Sequence, residues 1–337
     1  FLCMVKKIVC LLIILFLVAA AVAGCDFFKR ESPQQEVPDS GEDSEETLAN
    51  MRKTIFYFVN EYGLLVPVTR DIPWVEGIGR AALESLVDSE EMRAELAEKG
   101  LKAPLPEGTQ VLGMTIRDGL AKVDFNANFL QTPDIVTEQN AIDAVVYTLT
   151  EFPAVDEVQI LVDGKMVEKT PNGNQLKGVF KRQNINLEKP VTASSEMVPV
   201  TLYFKGASLN GNFSYFVPVT RMVTKSDNQM KTALEELIKG PMENTGLVSL
   251  LPQDTKVLDV AQSNGEVLVN FSKEIEGYGG GIDVEQSIVN SVVLTLSDFP
   301  GVETVTIQVE GKAGALPEGT VLETPIYKPL YVNPSSI

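Results

Sequence analysis

The chain has 337 residues, a formal net charge of −18, three cysteines and no histidine. Its length admits two domains of ordinary size, and its acidic balance opposes binding to nucleic acid or to anionic lipid headgroups. Without histidine, the commonest general base and the imidazole metal ligand are both missing.

The first segment sets the expected compartment. Lys6 and Lys7 precede an uncharged apolar run, Ile8 to Gly24, that closes on Val22-Ala23-Gly24-Cys25. A basic start, an apolar middle and a small-residue end describe a secretory signal. The last four residues resemble a lipobox, in which the thiol is lipidated before cleavage. Residues 1–24 are therefore expected to be a signal peptide and Cys25 the lipid attachment site. Cys3 and Cys10 fall in the removed part, so no internal disulfide is expected. Residues 25–51 are read as an acidic, disordered tether. From Asp26 to Asn50 it carries eight acidic and two basic residues and few apolar ones, too little apolar surface to offset ordering entropy.

The rest of the chain is a duplication. Val66-Pro67-Val68-Thr69-Arg70 recurs as Val217-Pro218-Val219-Thr220-Arg221, and Thr148 to Val155 recurs as Thr295 to Val302. The tails match as well, Ile185-Asn186 against Val332-Asn333. The copies are placed at residues 52–190 and 197–337, joined by a linker at 191–196, and each is expected to fold alone.

Each copy begins with a β-branched and aromatic strand, Thr54 to Val59 in copy one. Leu64 to Thr69 follows as a second strand. Pro67 and Pro218 have no N–H to give a ladder, which places that strand at a sheet edge. Met230, Ala233, Leu234, Leu237 and Ile238 form one helical stripe, stopped by Gly240-Pro241. Ala82, Leu83, Leu86 and Val87 take the same positions in copy one, with a longer connection after them and no Gly-Pro stop. A hairpin comes next, turning at Asp118-Gly119 or Asn264-Gly265, pairs suited to the type I′ turn. A helix through Ile142, Val145, Val146 and Leu149, matched by Val289, Val292, Val293 and Leu296, ends at Phe-Pro. Val158-Ile160-Val162 or Val305-Ile307-Val309 closes the unit. The fold class is α+β: two tandem β-β-α-β-β-α-β units, each a sheet with two helices on one face.

Few residues invite chemistry. Asp124 alternates with core positions and reads as a solvated face rather than a catalyst. Gly277 to Gly281 lacks the Lys-Ser/Thr of a phosphate loop and reads as a connector. Asp163-Gly164-Lys165 and Glu310-Gly311-Lys312 read as turns. Trp74 reads as core or loop packing. Arg70 and Arg221, at equivalent strand ends, are candidates for a local ion pair or for contact with a partner. No catalytic residue, cofactor or metal is expected.

The Val-Pro-Val-Thr-Arg strand, the Ala-Leu-Glu-x-Leu helix (82–86 and 233–237), the Thr-Leu-x-x-Phe-Pro-x-Val segment and the Asp/Glu-Gly-Lys turn together resemble the GerM domain of sporulation and spore-germination lipoproteins. That resemblance implies a non-catalytic role and a core like the ring-building motifs of trans-envelope machines. It also implies partners in the channel complex between mother cell and forespore. The expected protein is thus a lipid-anchored scaffold on the extracytoplasmic face of the cell membrane, with envelope or channel proteins as partners and self-association compatible with it. The alternative is a lipoprotein that captures a solute or glycan in the cleft between its domains. A carboxylate-dependent hydrolase is the third reading.

Overall fold

The computed structural model describes residues 51–188 and 196–334. The expected signal segment, Cys25, the expected tether up to Asn50 and positions 191–195 of the expected linker lie outside the described residues.

Copy one opens with β1 (Met51–Asn60) and β2 (Leu65–Pro73), paired antiparallel from Met51↔Pro73 to Val59↔Leu65. Helix α1 (Ile78–Glu84) buries Ala82 and Leu83. The longer connection after it contains a further helix, α2 (Glu90–Ala97), whose first turn is capped by the Ser89 side chain. Two-residue β3 (Leu101–Lys102) then adds to β1. The hairpin is β4 (Val111–Arg117) and β5 (Leu120–Phe125), and helix α3 (Ile135–Leu149) carries the chain over to β6 (Glu157–Val162), which lies parallel to β5.

Copy two repeats the plan. It has β7 (Met197–Ala207), β8 (Ser214–Thr224), α4 (Gln229–Lys239), β9 (Leu247–Val248), β10 (Val257–Ser263), β11 (Glu266–Phe271), α5 (Ile282–Ser297), β12 (Thr304–Val309) and β13 (Ile326–Tyr327). The strands of each copy divide between two small sheets rather than sharing one: β2-β1-β3 and β4-β5-β6, then β8-β7-β9 and β10-β11-β12-β13. The proline-bearing strands β2 and β8 stand at sheet edges, as the missing N–H groups require.

Packing explains the local choices. In α4 the buried side chains are Ala233, Leu234, Leu237 and Ile238. Burying each of the larger ones stabilises by about 1.5–3 kcal/mol, against a few tenths per residue from helix propensity. Phe56, Phe58, Phe125, Phe204 and Phe271 are fully buried, and the apolar cluster they belong to runs through both copies. The turns are as the residues dictate: Asp118 and Gly119 have φ 51° and 79°, and Asn264 and Gly265 have 50° and 83°. Only glycine and a few short polar residues enter that region cheaply.

Candidate functional site: the junction of the two copies

The tails that follow each copy cross to the other. In copy one's tail, the Thr220 N–H of β8 donates to the Ile185 carbonyl at 2.9 Å, and the Glu188 N–H donates back to the Thr220 carbonyl at 2.9 Å. In copy two's tail, the Thr69 N–H of β2 donates to the Asn333 carbonyl at 3.1 Å, and the Thr69 hydroxyl donates to the Val332 carbonyl at 2.7 Å. Strands β2 and β8 lie against each other but stay in separate sheets.

Two asparagines fasten this crossing. Asn186 Oδ1 accepts the Leu65 N–H at 2.8 Å, while its Nδ2 donates to the Leu65 carbonyl and to the Pro218 carbonyl, both at 2.8 Å. Asn333 Oδ1 accepts the Phe216 N–H, and its Nδ2 donates to the Phe216 and Pro67 carbonyls, all at 2.7 Å. Each side-chain amide thus imitates a strand residue towards one copy and gives its second proton to a proline of the other. Both asparagines sit at positive φ, 57° and 50°, a region their side chains tolerate.

Arg221 locks the same junction. Its guanidinium meets Glu188 at 2.6 and 3.0 Å, Glu236 at 3.1 Å, and the Gly240 carbonyl at the end of α4 at 2.9 Å. Arg70 holds the equivalent place in copy one. It pairs with Glu95 of α2 at 2.6 Å and lies over the Phe56 and Phe58 rings. Both guanidinia are therefore engaged within the chain, and in copy one α2 supplies the carboxylate that pairs with Arg70.

Behind the clasp lies a cavity of about 520 Å³ shared by both copies. Copy one lines it with Tyr57, Tyr147, Glu151 and Arg182, and copy two with Tyr203, Asp298 and Lys328. The Tyr57 hydroxyl donates to Glu151 at 2.8 Å, and Arg182 donates to both. Arg182 also lies over the Tyr147 ring, 4.8 Å from its centroid. Burial pushes the Tyr147 phenol up to about 12, with Arg182 opposing the shift. Burial, with Asp298 close by, likewise raises the Tyr203 phenol. All three phenols stay protonated at neutral pH and act as hydrogen-bonding groups.

Several carboxylates of the two copies hold structure together. Asp124 accepts the Gly164 N–H at 2.8 Å, bracing the Asp163-Gly164-Lys165 turn, and Asn270 does the same for Gly311 at 2.8 Å. Glu138 of α3, buried, takes bonds from Thr170, Asn174 at 2.8 Å and Asn172 at 3.3 Å. Its counterpart Glu285 of α5, also buried, accepts the Glu318 and Thr320 N–H groups at 2.7 Å each and the Tyr278 hydroxyl. Burial drives the Glu285 carboxyl upward, but these donors outweigh it and hold the group below the usual range. Tyr278 belongs to the Gly277–Gly281 connector, so that segment is tied back to α5. Trp74 is not a core residue: it is 60% exposed, with Arg52 stacked 5.0 Å from its centroid.

The sequence alone missed Asn186 and Asn333. Their match between the tails was a visible signal, but their partners lie 121 and 117 residues away. Among the described residues no helix is long and apolar enough to cross a membrane, and Cys25 lies outside them.

Comparison with known proteins bears on the tandem arrangement. The model of the Germane family, described as sporulation and spore germination, matches residues 55–168 and 201–315. The spore germination protein GerM of Bacillus subtilis (strain 168) is 29% identical over 311 residues, covering 90% of this chain and 83% of that protein. The solved tandem GerMN domains of the sporulation protein GerM from Bacillus subtilis superpose with a TM-score of 0.73 at 29% identity. That match covers 84% of this chain and 99% of the solved one.

Proposed function

Because the chain belongs to the Germane family of sporulation and spore germination, we propose that it is a lipid-anchored, extracytoplasmic assembly module. In this reading Cys25 carries the lipid, the acidic tether spaces the folded part from the membrane, and the two copies bind envelope proteins of a trans-envelope channel. It performs no chemistry of its own.

The observation that carries this reading is how the buried polar groups are used. Glu138 and Glu285 are spent on fixing loops, and the asparagine clasp joins the copies into one body. A pre-ordered body presents a surface at little entropic cost on binding. The partner surfaces we assign are the outer sheets that expose Leu112 and Ile116 in copy one and Leu258 and Leu268 in copy two.

Complementation of a spore-forming host lacking the protein tests it. Cys25→Ala should lose membrane fractionation, since the acyl chains are the strong attachment in this reading. Leu112→Glu with Leu258→Glu should keep the anchor and the fold while losing crosslinked partners and sporulation. Asp124→Asn and other single carboxylate changes should retain function. One carboxylate whose loss abolishes function, with folding, anchoring and partner capture all intact, would point to catalysis and overturn the reading.

A further inference from the structure

The cavity at the junction is larger than the clasp requires, and some of its polar groups are idle. Its volume of about 520 Å³ falls within the roughly 300–1,000 Å³ typical of small-molecule sites. Four charged side chains line it, Glu151 and Asp298 against Arg182 and Lys328, so their formal charges balance. Glu151 is taken up by Arg182 and Tyr57, and the Lys328 ammonium donates to the Ser297 carbonyl at 2.8 Å. Among the described residues, the Asp298 carboxylate and the Tyr203 hydroxyl have no hydrogen-bonding partner. The Thr220 hydroxyl, on a side chain only 2% exposed, is also without one and borders the same space. Of the three only the Thr220 hydroxyl is buried, and an unpaired group there is costly unless something completes it. Asp298 is exposed and Tyr203 half-buried, so both are open to an incoming ligand.

We propose that this cavity binds a neutral, hydroxyl-rich ring compound, namely a short oligosaccharide. Asp298 and Tyr203 hydrogen-bond its hydroxyls, and the rings of Pro199 and Pro218 form the wall for its C–H face. The lining decides between ligand classes. An anion entering would meet Asp298 and Glu151, and a cation would meet Arg182 and Lys328, so the balanced field favours neither. An extended peptide would need a sheet edge to add to. The two edges here, β2 and β8, are already taken by the crossed tails. A sugar ring needs what remains: flat apolar walls and unengaged acceptors and hydroxyls. This inference stands apart from the assembly reading, which neither requires nor forbids it.

Titration calorimetry on the full chain in a detergent without sugar headgroups tests it, using the trimer of β-1,4-linked N-acetylglucosamine and, in parallel, maltotriose. Saturable binding of either supports the site. Preference for the N-acetylated trimer assigns it to wall-type glycan, and preference for maltotriose assigns it to soluble sugar. Tyr203→Phe and Asp298→Asn should each weaken that binding about tenfold, the value of one hydrogen bond, with unchanged thermal unfolding. Trp74→Ala, outside the cavity, should leave it unchanged. The proposal is overturned if neither trimer binds at about 10 mM, a weaker affinity than a built site of this size would show. It is equally overturned if both cavity variants retain full binding, whatever Trp74→Ala does.

Discussion

Asn186 and Asn333 make the same three hydrogen bonds to equivalent residues with the copies interchanged: Leu65 and Pro218 for the first, Phe216 and Pro67 for the second. The arrangement gives each proline carbonyl a donor at the place where its own residue cannot supply an N–H. It also makes the junction depend on two side chains that the sequence repeats.

Replacing either asparagine by alanine leaves a strand N–H and two carbonyls without their partners. Each change should cost about 1–3 kcal/mol. The double change should fall short of the sum, because the second releases tails already loosened by the first. Urea unfolding measures both, and a fully additive pair would show that the tails act independently.

Arg221 and Arg70 should differ in weight. Arg221 is 14% exposed and serves Glu188, itself 9% exposed, so Arg221→Ala leaves a poorly hydrated carboxylate behind. A loss of about 3 kcal/mol is expected. Glu95 is 37% exposed, so Arg70→Ala should cost about 1 kcal/mol, and high salt should diminish its effect further. Equal losses would refute the ranking.

Asp143 on α3 provides a pH test. Burial pushes its carboxyl up to about 6, against the opposing hydrogen bond from Gln139. Between about pH 4 and pH 6 the folded chain holds this proton more tightly than the unfolded chain, so stability from this group falls as pH rises. Above about pH 6 the cost is complete. Asp143→Asn should therefore stabilise by about 1–2 kcal/mol at pH 7.5 and by nothing at pH 3.5. Thermal unfolding across that range would show a gap between the two proteins that opens with pH.

Glu138 and Glu285 occupy the same place in the two copies but should respond differently to the Glu→Gln change. The donors to Glu138 are side-chain hydroxyls and amides, which can turn to face a new N–H. Two of the donors to Glu285 are backbone N–H groups of residues 318 and 320, which cannot. Glu285→Gln should be the more damaging by about 1–2 kcal/mol. Its destabilisation should fade in acid, because the native carboxylate is held below its usual range and loses its own contribution as pH falls.

The repeat, the edge position of the proline strands and the hairpin turns were legible because each rests on local rules: a missing N–H at Pro67 and Pro218, positive φ at Asp118 and Asn264. Helix α2 was not legible, since its only fully buried side chain is Leu96 and no stripe announces it. The division into two sheets per copy depends on pairings such as Val59↔Lys102, which periodicity does not encode. The exposure of Trp74 follows from where β2 ends, not from its own chemistry. The junction was legible only as a matched Ile-Asn and Val-Asn. Nothing local says that Asn186 and Asn333 reach across to opposite copies, because what they bind is backbone that any residue could provide.

The crossed tails have the symmetry of a two-fold homodimer written into one polypeptide. A chain with a single such copy would carry one asparagine whose second amide proton has no proline carbonyl to meet. A second molecule, offering its own proline strand, would supply it. Duplication followed by fusion converts that encounter from a concentration-dependent equilibrium into a permanent one. The fused protein is then free to vary its two halves separately, as it has with Glu95 pairing Arg70 in one and Glu236 pairing Arg221 in the other, without the requirement that both faces of a dimer be identical.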